Sequence, residues 1–69
     1  MSFGSKLKLL REQKGLTQLE MAKILDISEV AYQRYEYDKS HPNYQKLIFI
    51  ADFFEVSLDY LTDRINYKK

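Results

Sequence analysis

The stretch Thr17–Glu36, TQLEMAKILDISEVAYQRYE, constrains this chain more than any other. Thr17 and Ser28 are hydroxyl residues of the kind that cap helix N-termini, and each opens a short segment with apolar residues at helical spacing. Glu20 stands three residues after Thr17, the spacing of a capping box, in which two otherwise orphaned amides are satisfied reciprocally. Between the two helices lies only the turn Leu25-Asp26-Ile27-Ser28. Asp26 falls where a left-handed backbone is expected, which Asp tolerates better than most residues but worse than Gly. Met21, Ala22 and Leu25 should face inward, Ala22 being small as a close helix crossing requires, and Ile27 should plug the core.

Around this pair the periodicity predicts three more helices and no strand, so the fold class is all-α with five helices. The first runs from an N-cap at Ser2 to about Lys14, with Phe3, Leu7 and Leu10 inward and Gly15 as its stop. Asn43, after Pro42, caps the fourth, which carries Tyr44, Leu47, Ile50, Ala51 and Phe54 inward. Ser57 caps a short fifth with Leu58 and Leu61. The domain is expected to occupy residues 1–65, with 66–69 a frayed tail. Helices 2 and 3 then form a helix-turn-helix. On the third helix Ala31, Tyr32 and Tyr35 make one stripe, and Glu29, Val30, Gln33, Arg34 and Tyr37 the opposite one. The first stripe should hold the helix down, with the tyrosine hydroxyls reaching the surface, and the second should meet a ligand.

Sixty-nine residues leave too little interior for a catalytic cleft and the shell that would hold it rigid. No paired carboxylates, no metal-spaced ligands and no nucleophile with a base can be assembled around the single histidine, so an enzyme is not expected. His41 lies beside Pro42 with neither a second imidazole nor any cysteine to share a metal, and neither a metal nor any other cofactor is expected. Charges interrupt every apolar run of the opening MSFGSKLKLLREQKG, so neither a signal peptide nor a membrane span is expected there. A cytoplasmic protein is expected.

Eleven Lys and Arg against ten Asp and Glu give a net charge of only +1, short of the basic footprint that phosphate binding favours. Distribution must then supply what the total does not. Lys6, Lys8, Arg11 and Lys14 crowd the first helix and Arg34 and Lys39 flank the third, while Asp52, Glu55, Asp59 and Asp63 come late. A basic front and an acidic back are the expectation.

The chain resembles the phage repressor and Cro family of helix-turn-helix regulators from Phe3 to Leu61. The matching residues are Phe3-Gly4, Leu7, Leu10-Arg11, Lys14-Gly15-Leu16-Thr17-Gln18, Ala22, Leu25, Ile27-Ser28, Ala31-Tyr32, Arg34-Tyr35-Glu36, Pro42, Leu47, Ala51 and Val56-Ser57-Leu58-Asp59. Their spacing is specific as a set, though no single position is. The resemblance implies a sequence-specific double-stranded DNA-binding transcriptional regulator, a repressor in the first instance, acting as a homodimer on an operator with two related half-sites. The helix from Ser28 would enter the major groove. Glu29, Val30, Gln33 and Arg34 fall where family members contact base edges. Phosphate contacts are expected of Arg11, Thr17, Gln18, Ser28, Tyr37 and Lys39, with Gln18 at a helix N-terminus whose free amides favour an anion. Arg11 and Glu36 match a family pair that ties the first helix to the third.

Each position has a plainer alternative. Arg34 suits a bidentate contact to guanine and Gln33 one to adenine, but either could be a solvated helix residue. An acid at Glu29 favours the helix dipole without any DNA, or accepts from a cytosine amine. Val30 either touches a thymine methyl or is simply exposed. Arg11 with Glu36 reads first as structural.

Asp26 and Asp38 stand where relatives often carry Gly, which puts two acids near the DNA-facing side. Leu9, Leu19 and Ile24 are apolar outside the expected core. Phe49 lies one turn from Phe53; the pair either folds over the core or builds a dimer interface with Leu58, Tyr60 or Tyr67. No effector domain is expected in so short a chain, so no small-molecule effector is either, and occupancy would follow protein concentration, dimerisation or a separate regulatory protein. The alternative function is a protein-interaction module, such as the antitoxin of a toxin-antitoxin pair that also binds its own promoter.

Overall fold

The computed structural model describes residues 1–62. It contains five helices: α1 (Phe3–Gln13), α2 (Gln18–Leu25), α3 (Glu29–Glu36), α4 (Tyr44–Phe54) and α5 (Leu58–Leu61), and no strand among the described residues. The expected boundary at residue 65, the tail 66–69, Asp63 and Tyr67 lie outside them.

All five N-termini are closed by the side chains the sequence marks. Ser2, Thr17, Ser28, Asn43 and Ser57 each accept a hydrogen bond from the backbone N–H three residues on. At Thr17 the Glu20 carboxylate also takes the Thr17 amide at 2.8 Å, completing the capping box.

The C-termini follow one rule with different residues. Gly15, Asp26, Asp38 and Glu55 all have φ between 58 and 71°, so the chain turns left-handed after α1, α2, α3 and α4. Each turn carries the paired hydrogen bonds of a Schellman motif: at Asp26, for example, Ile27 N–H donates to Ala22 O at 3.0 Å and Asp26 N–H to Lys23 O at 3.1 Å. The motif wants an apolar residue just past the turn. Leu16, Ile27 and Val56 fill that position and pack against the core. Only one of the four turns uses glycine, so the expected strain of an L-residue at φ > 0 is accepted three times.

α1 and α2 both pack on α3, and α5 packs on α4 and α1. Leu7, Met21, Tyr32, Ile50 and Leu61 are fully buried at the centre, with Phe3, Leu10, Ala22, Leu25, Ala51 and Phe54 around them. Burying such side chains contributes about 1.5–3 kcal/mol each. Tyr44 departs from its expected inward place: it is 67% exposed, on the wall of a surface groove with Leu47, Leu58 and Asp59. Leu9 and Leu19 are exposed and Ile24 is half-buried.

α1 and α3 approach more closely than side chains would allow. A Cβ built on Gly4 would lie 2.3 Å from the Glu36 carbonyl oxygen, so the N-terminus of α1 rests directly on the end of α3. There Asp38 Oδ1 accepts the Gly4 N–H at 2.9 Å. α1 has no acid in its own first turn, and Asp38 supplies one from across the joint. The hydrogen bonds from Ser2 and from the Gly4 amide hold the Asp38 carboxyl below its ordinary value. That acid is therefore engaged with α1.

Candidate nucleic-acid interface

α3 has two sides of opposite character. Tyr32 and Glu36 are buried and Ala31 and Tyr35 half-buried, whereas Glu29, Val30, Arg34 and Tyr37 are exposed and Gln33 half-buried. Val30 is 58% exposed, a β-branched apolar residue with nothing folded over it. Lys39, just past the helix, is exposed as well. Glu29, Val30, Gln33, Arg34 and Tyr37 therefore share one open face, the spacing i, i+1, i+4, i+5, i+8 placing them there.

A buried polar cluster holds that face in position. Arg11 and Glu36 are 8% and 6% exposed. Arg11 Nε donates to Glu36 Oε2 at 2.6 Å, one terminal nitrogen to Oε1 at 3.3 Å, and the other to the Leu16 carbonyl at 2.7 Å. The Tyr32 hydroxyl donates to Glu36 Oε2 at 2.5 Å and Gln18 Nε2 to Oε1 at 3.0 Å. Burial alone would raise the Glu36 pKa, but the hydrogen bonds from Arg11, Tyr32 and Gln18 outweigh it, and the carboxyl is held below its usual range. Tyr32 moves the other way: burial first, and the adjacent carboxylate next, push its hydroxyl well above its ordinary value. No side-chain N or O atom buried among the described residues lacks a partner, as a polar cluster inside a small core requires.

This arrangement bears on several expectations. Arg11 is joined to Glu36 as expected of the pair, its guanidinium buried and engaged on both sides. The Tyr32 hydroxyl is inside, bonded to Glu36, rather than at the surface. The Gln18 side chain points inward, its Oε1 accepting from Gln33 Nε2 at 3.2 Å; what α2 can offer an anion is its backbone, whose first amides have no acceptor within the helix. Thr17 and Ser28 accept from the backbone through their hydroxyl oxygens, which leaves each hydroxyl proton to donate.

The basic front is also thinner than composition suggests. Lys6 is buried, its Nζ 3.2 Å from the Tyr60 carbonyl and 3.9 Å from the Tyr60 ring centroid. Lys14 sits over the Phe53 ring at 5.2 Å. Lys8, Arg34 and Lys39 are exposed. His41 packs near Phe3, ring centroids 6.1 Å apart. No cluster of three or more His, Cys, Asp or Glu residues that could hold a metal occurs among the described residues.

The residues expected at a dimer interface are not brought together. Phe49 and Phe53 stack at 6.4 Å, and Phe53 leans on the core while Phe49 stays 47% exposed. Phe49 lines a groove with Ile24, Asn43, Gln45 and Lys46. Leu58 lines a different one with Tyr44, Leu47 and Asp59, on the other flank of α4. Tyr60 is at the surface, its ring against the Lys6 ammonium.

The sequence reading missed the Gly4 contact, the Asp38 cap and the inward turn of Gln18. A signal existed only for the first, a glycine inside the first turn of a helix, where it costs roughly 0.5–1 kcal/mol relative to Ala and so asks for a packing reason.

Comparison with known proteins agrees with this geometry. The helix-turn-helix family pattern matches residues 7–61. The chain is 48% identical over 59 residues to YqaE of Bacillus subtilis (strain 168), described as an uncharacterized HTH-type transcriptional regulator; the match covers 86% of this chain and 51% of that protein. It is 41% identical over 61 residues to the HTH-type transcriptional activator BcrR of Enterococcus faecalis, covering 88% of this chain and 30% of the relative. It is 36% identical over 59 residues to the cryptic phage CTXphi transcriptional repressor RstR of Vibrio cholerae, covering 83% and 53%. The chain thus spans about half or less of the length of these relatives. No described helix is long and apolar enough to cross a membrane. With its five helices, its capped α2–turn–α3 unit and the matched span, the chain belongs to the helix-turn-helix family of phage repressor and Cro type.

Proposed function

We propose that this chain binds duplex DNA sequence-specifically as a transcriptional regulator, with α3 lying in the major groove. The observation that carries this reading is the open face of α3, where Glu29, Val30 and Arg34 are exposed and Gln33 half-exposed, on a helix fixed from behind by the buried cluster. A guanidinium there suits guanine and a carboxamide suits adenine. Phosphate oxygens would meet the first amides of α2, the hydroxyls of Thr17 and Ser28, and the side chains of Tyr37 and Lys39.

An eight-residue helix reads only a few base pairs, so two copies on half-sites one helical turn apart, about 34 Å, supply the rest. The exposed flank at Phe49 is the surface we assign to that pairing. Repression needs nothing beyond operator occupancy, and occupancy would be governed by protein concentration, dimerisation or a separate protein. Relatives carry both the name activator and the name repressor; repression is the sign proposed here.

The test is selection of bound duplexes from a random pool at stated salt, which reports half-site, spacing and symmetry together. A paired motif with a spacing of about 10 base pairs is expected. Equal retention of all sequences would reject the reading.

A further inference from the structure

The polar cluster does more than anchor α3, because the polarity of one group in it dictates the polarity of the next. Glu36 is ionised and can only accept. Its oxygens receive Arg11 twice, Tyr32 once and Gln18 once, so the Gln18 atom facing it must be the NH2 group. The other end of that carboxamide is then an oxygen, and it faces Gln33. Gln33 must in turn direct its own NH2 group at Gln18. One hydrogen of Gln33 Nε2 is thereby engaged, and the half-exposed side chain keeps its Oε1 and one N–H with no hydrogen-bond partner among the described residues. A free glutamine could present its amide either way round at little cost; this one is set.

We infer that Gln18 is a specificity-determining positioning residue, relaying the polarity of the buried Glu36 carboxylate to Gln33 so that Gln33 offers one acceptor beside one donor and selects adenine. Adenine presents N6–H and N7, the complementary pair. Guanine presents two adjacent acceptors, O6 and N7, and meets the fixed oxygen unfavourably. The inference rests on the DNA reading above and gives Gln18 a different role from the phosphate contact: a phosphate contact positions every sequence alike, whereas the relay acts at one base pair.

The experiment is duplex selection with the wild-type chain, Gln18→Met, Gln33→Met and the double variant, each first shown to fold by thermal unfolding. The wild type is expected to favour adenine at one position of the half-site. Gln33→Met should erase that preference, Gln18→Met should reduce it at the same position at least threefold while other positions keep theirs, and the double variant should match Gln33→Met. Uniform weakening by Gln18→Met across all duplexes, with the adenine preference intact, overturns the relay alone. No enrichment by the wild type overturns the DNA reading and the relay with it. A measurement on the unmodified free protein guards against misfolded variants: the side-chain NH2 protons of Gln18 and Gln33 should exchange with water at least tenfold more slowly than those of exposed Gln45. Equal rates overturn the relay.

Discussion

The two halves of this domain are held by different physics. Where α1, α2 and α3 meet, the joint is polar and fully paired: Arg11, Tyr32, Gln18 and Gln33 form a single hydrogen-bonded chain around Glu36, and Asp38 clamps the start of α1. Where α4 and α5 close the structure, contact is mainly apolar, through Ile50, Ala51, Phe54 and Leu61, with the Lys6 ammonium on the Tyr60 carbonyl as a polar exception, and an aromatic residue is left in the open at Phe49. Apolar packing is non-directional and tolerates small adjustments. Hydrogen bonds fix angle and register. The directional joint lies behind the face proposed to read DNA, and the tolerant one behind the face proposed to pair with a second copy.

The sharpest way to break the contrast is Glu36→Gln, which leaves Arg11 buried without its counter-charge. A loss of about 3–5 kcal/mol is expected, most of the stability of so small a domain, measured by denaturant unfolding. A pH series sharpens it. Since the folded pKa of Glu36 lies below the ordinary 4.5, its contribution is present above that value and disappears as pH falls through the folded pKa. The wild type should therefore lose stability on the acid side, and Glu36→Gln should lack that component. An identical acid limb in both would contradict the assignment.

Gly4→Ala probes the same joint through the backbone. Its Cβ would meet the carbonyl of Glu36 and not a movable side chain, so roughly 1–3 kcal/mol of overpacking is expected, visible as a lower melting temperature. An unchanged melting temperature would mean that α1 can step back freely. On the open face, Arg34→Ala should leave folding within about 0.5 kcal/mol yet remove about 1–3 kcal/mol of specific binding and relax preference at one base pair. Unaltered operator affinity at fixed salt would remove Arg34 from the site.

The apolar half should respond differently. Phe49→Asp places a charge on an exposed flank, so stability should stay within about 0.5 kcal/mol, while the dimer should weaken about tenfold, or 1.4 kcal/mol, in sedimentation. An unaltered oligomer would free that flank from the proposal. The smallest effect is a gain. Glu55 holds φ 58°, and Glu55→Gly should stabilise by a few tenths to about 1 kcal/mol by removing left-handed strain, less whatever the added freedom of the unfolded chain costs.

Local chemistry made most of the architecture legible. Five caps and the turn at Asp26 depend on residues within a few positions of one another, and all are found where their spacing places them. Helical period also separated the two stripes of α3. Errors came where a residue's fate depends on a distant segment. Lys6 reads as a surface base until Tyr60 is found above it, 54 positions away in the chain. Gln18 reads as an outward-facing residue at a helix N-terminus until Glu36 turns its side chain inward. Phe49, Phe53, Leu58 and Tyr60 read as one patch until α4 separates them.

The chain by itself determined the helices, their ends and the face of α3 that would be left outward, because caps, left-handed turns and a 3.6-residue period are short-range consequences of side-chain chemistry. Only the tertiary structure decided which charges stay at the surface and which way round the Gln33 amide is presented. Those outcomes depend on acceptors and donors contributed from three helices at once, and a carboxylate that can only accept imposes its direction on each group bonded after it.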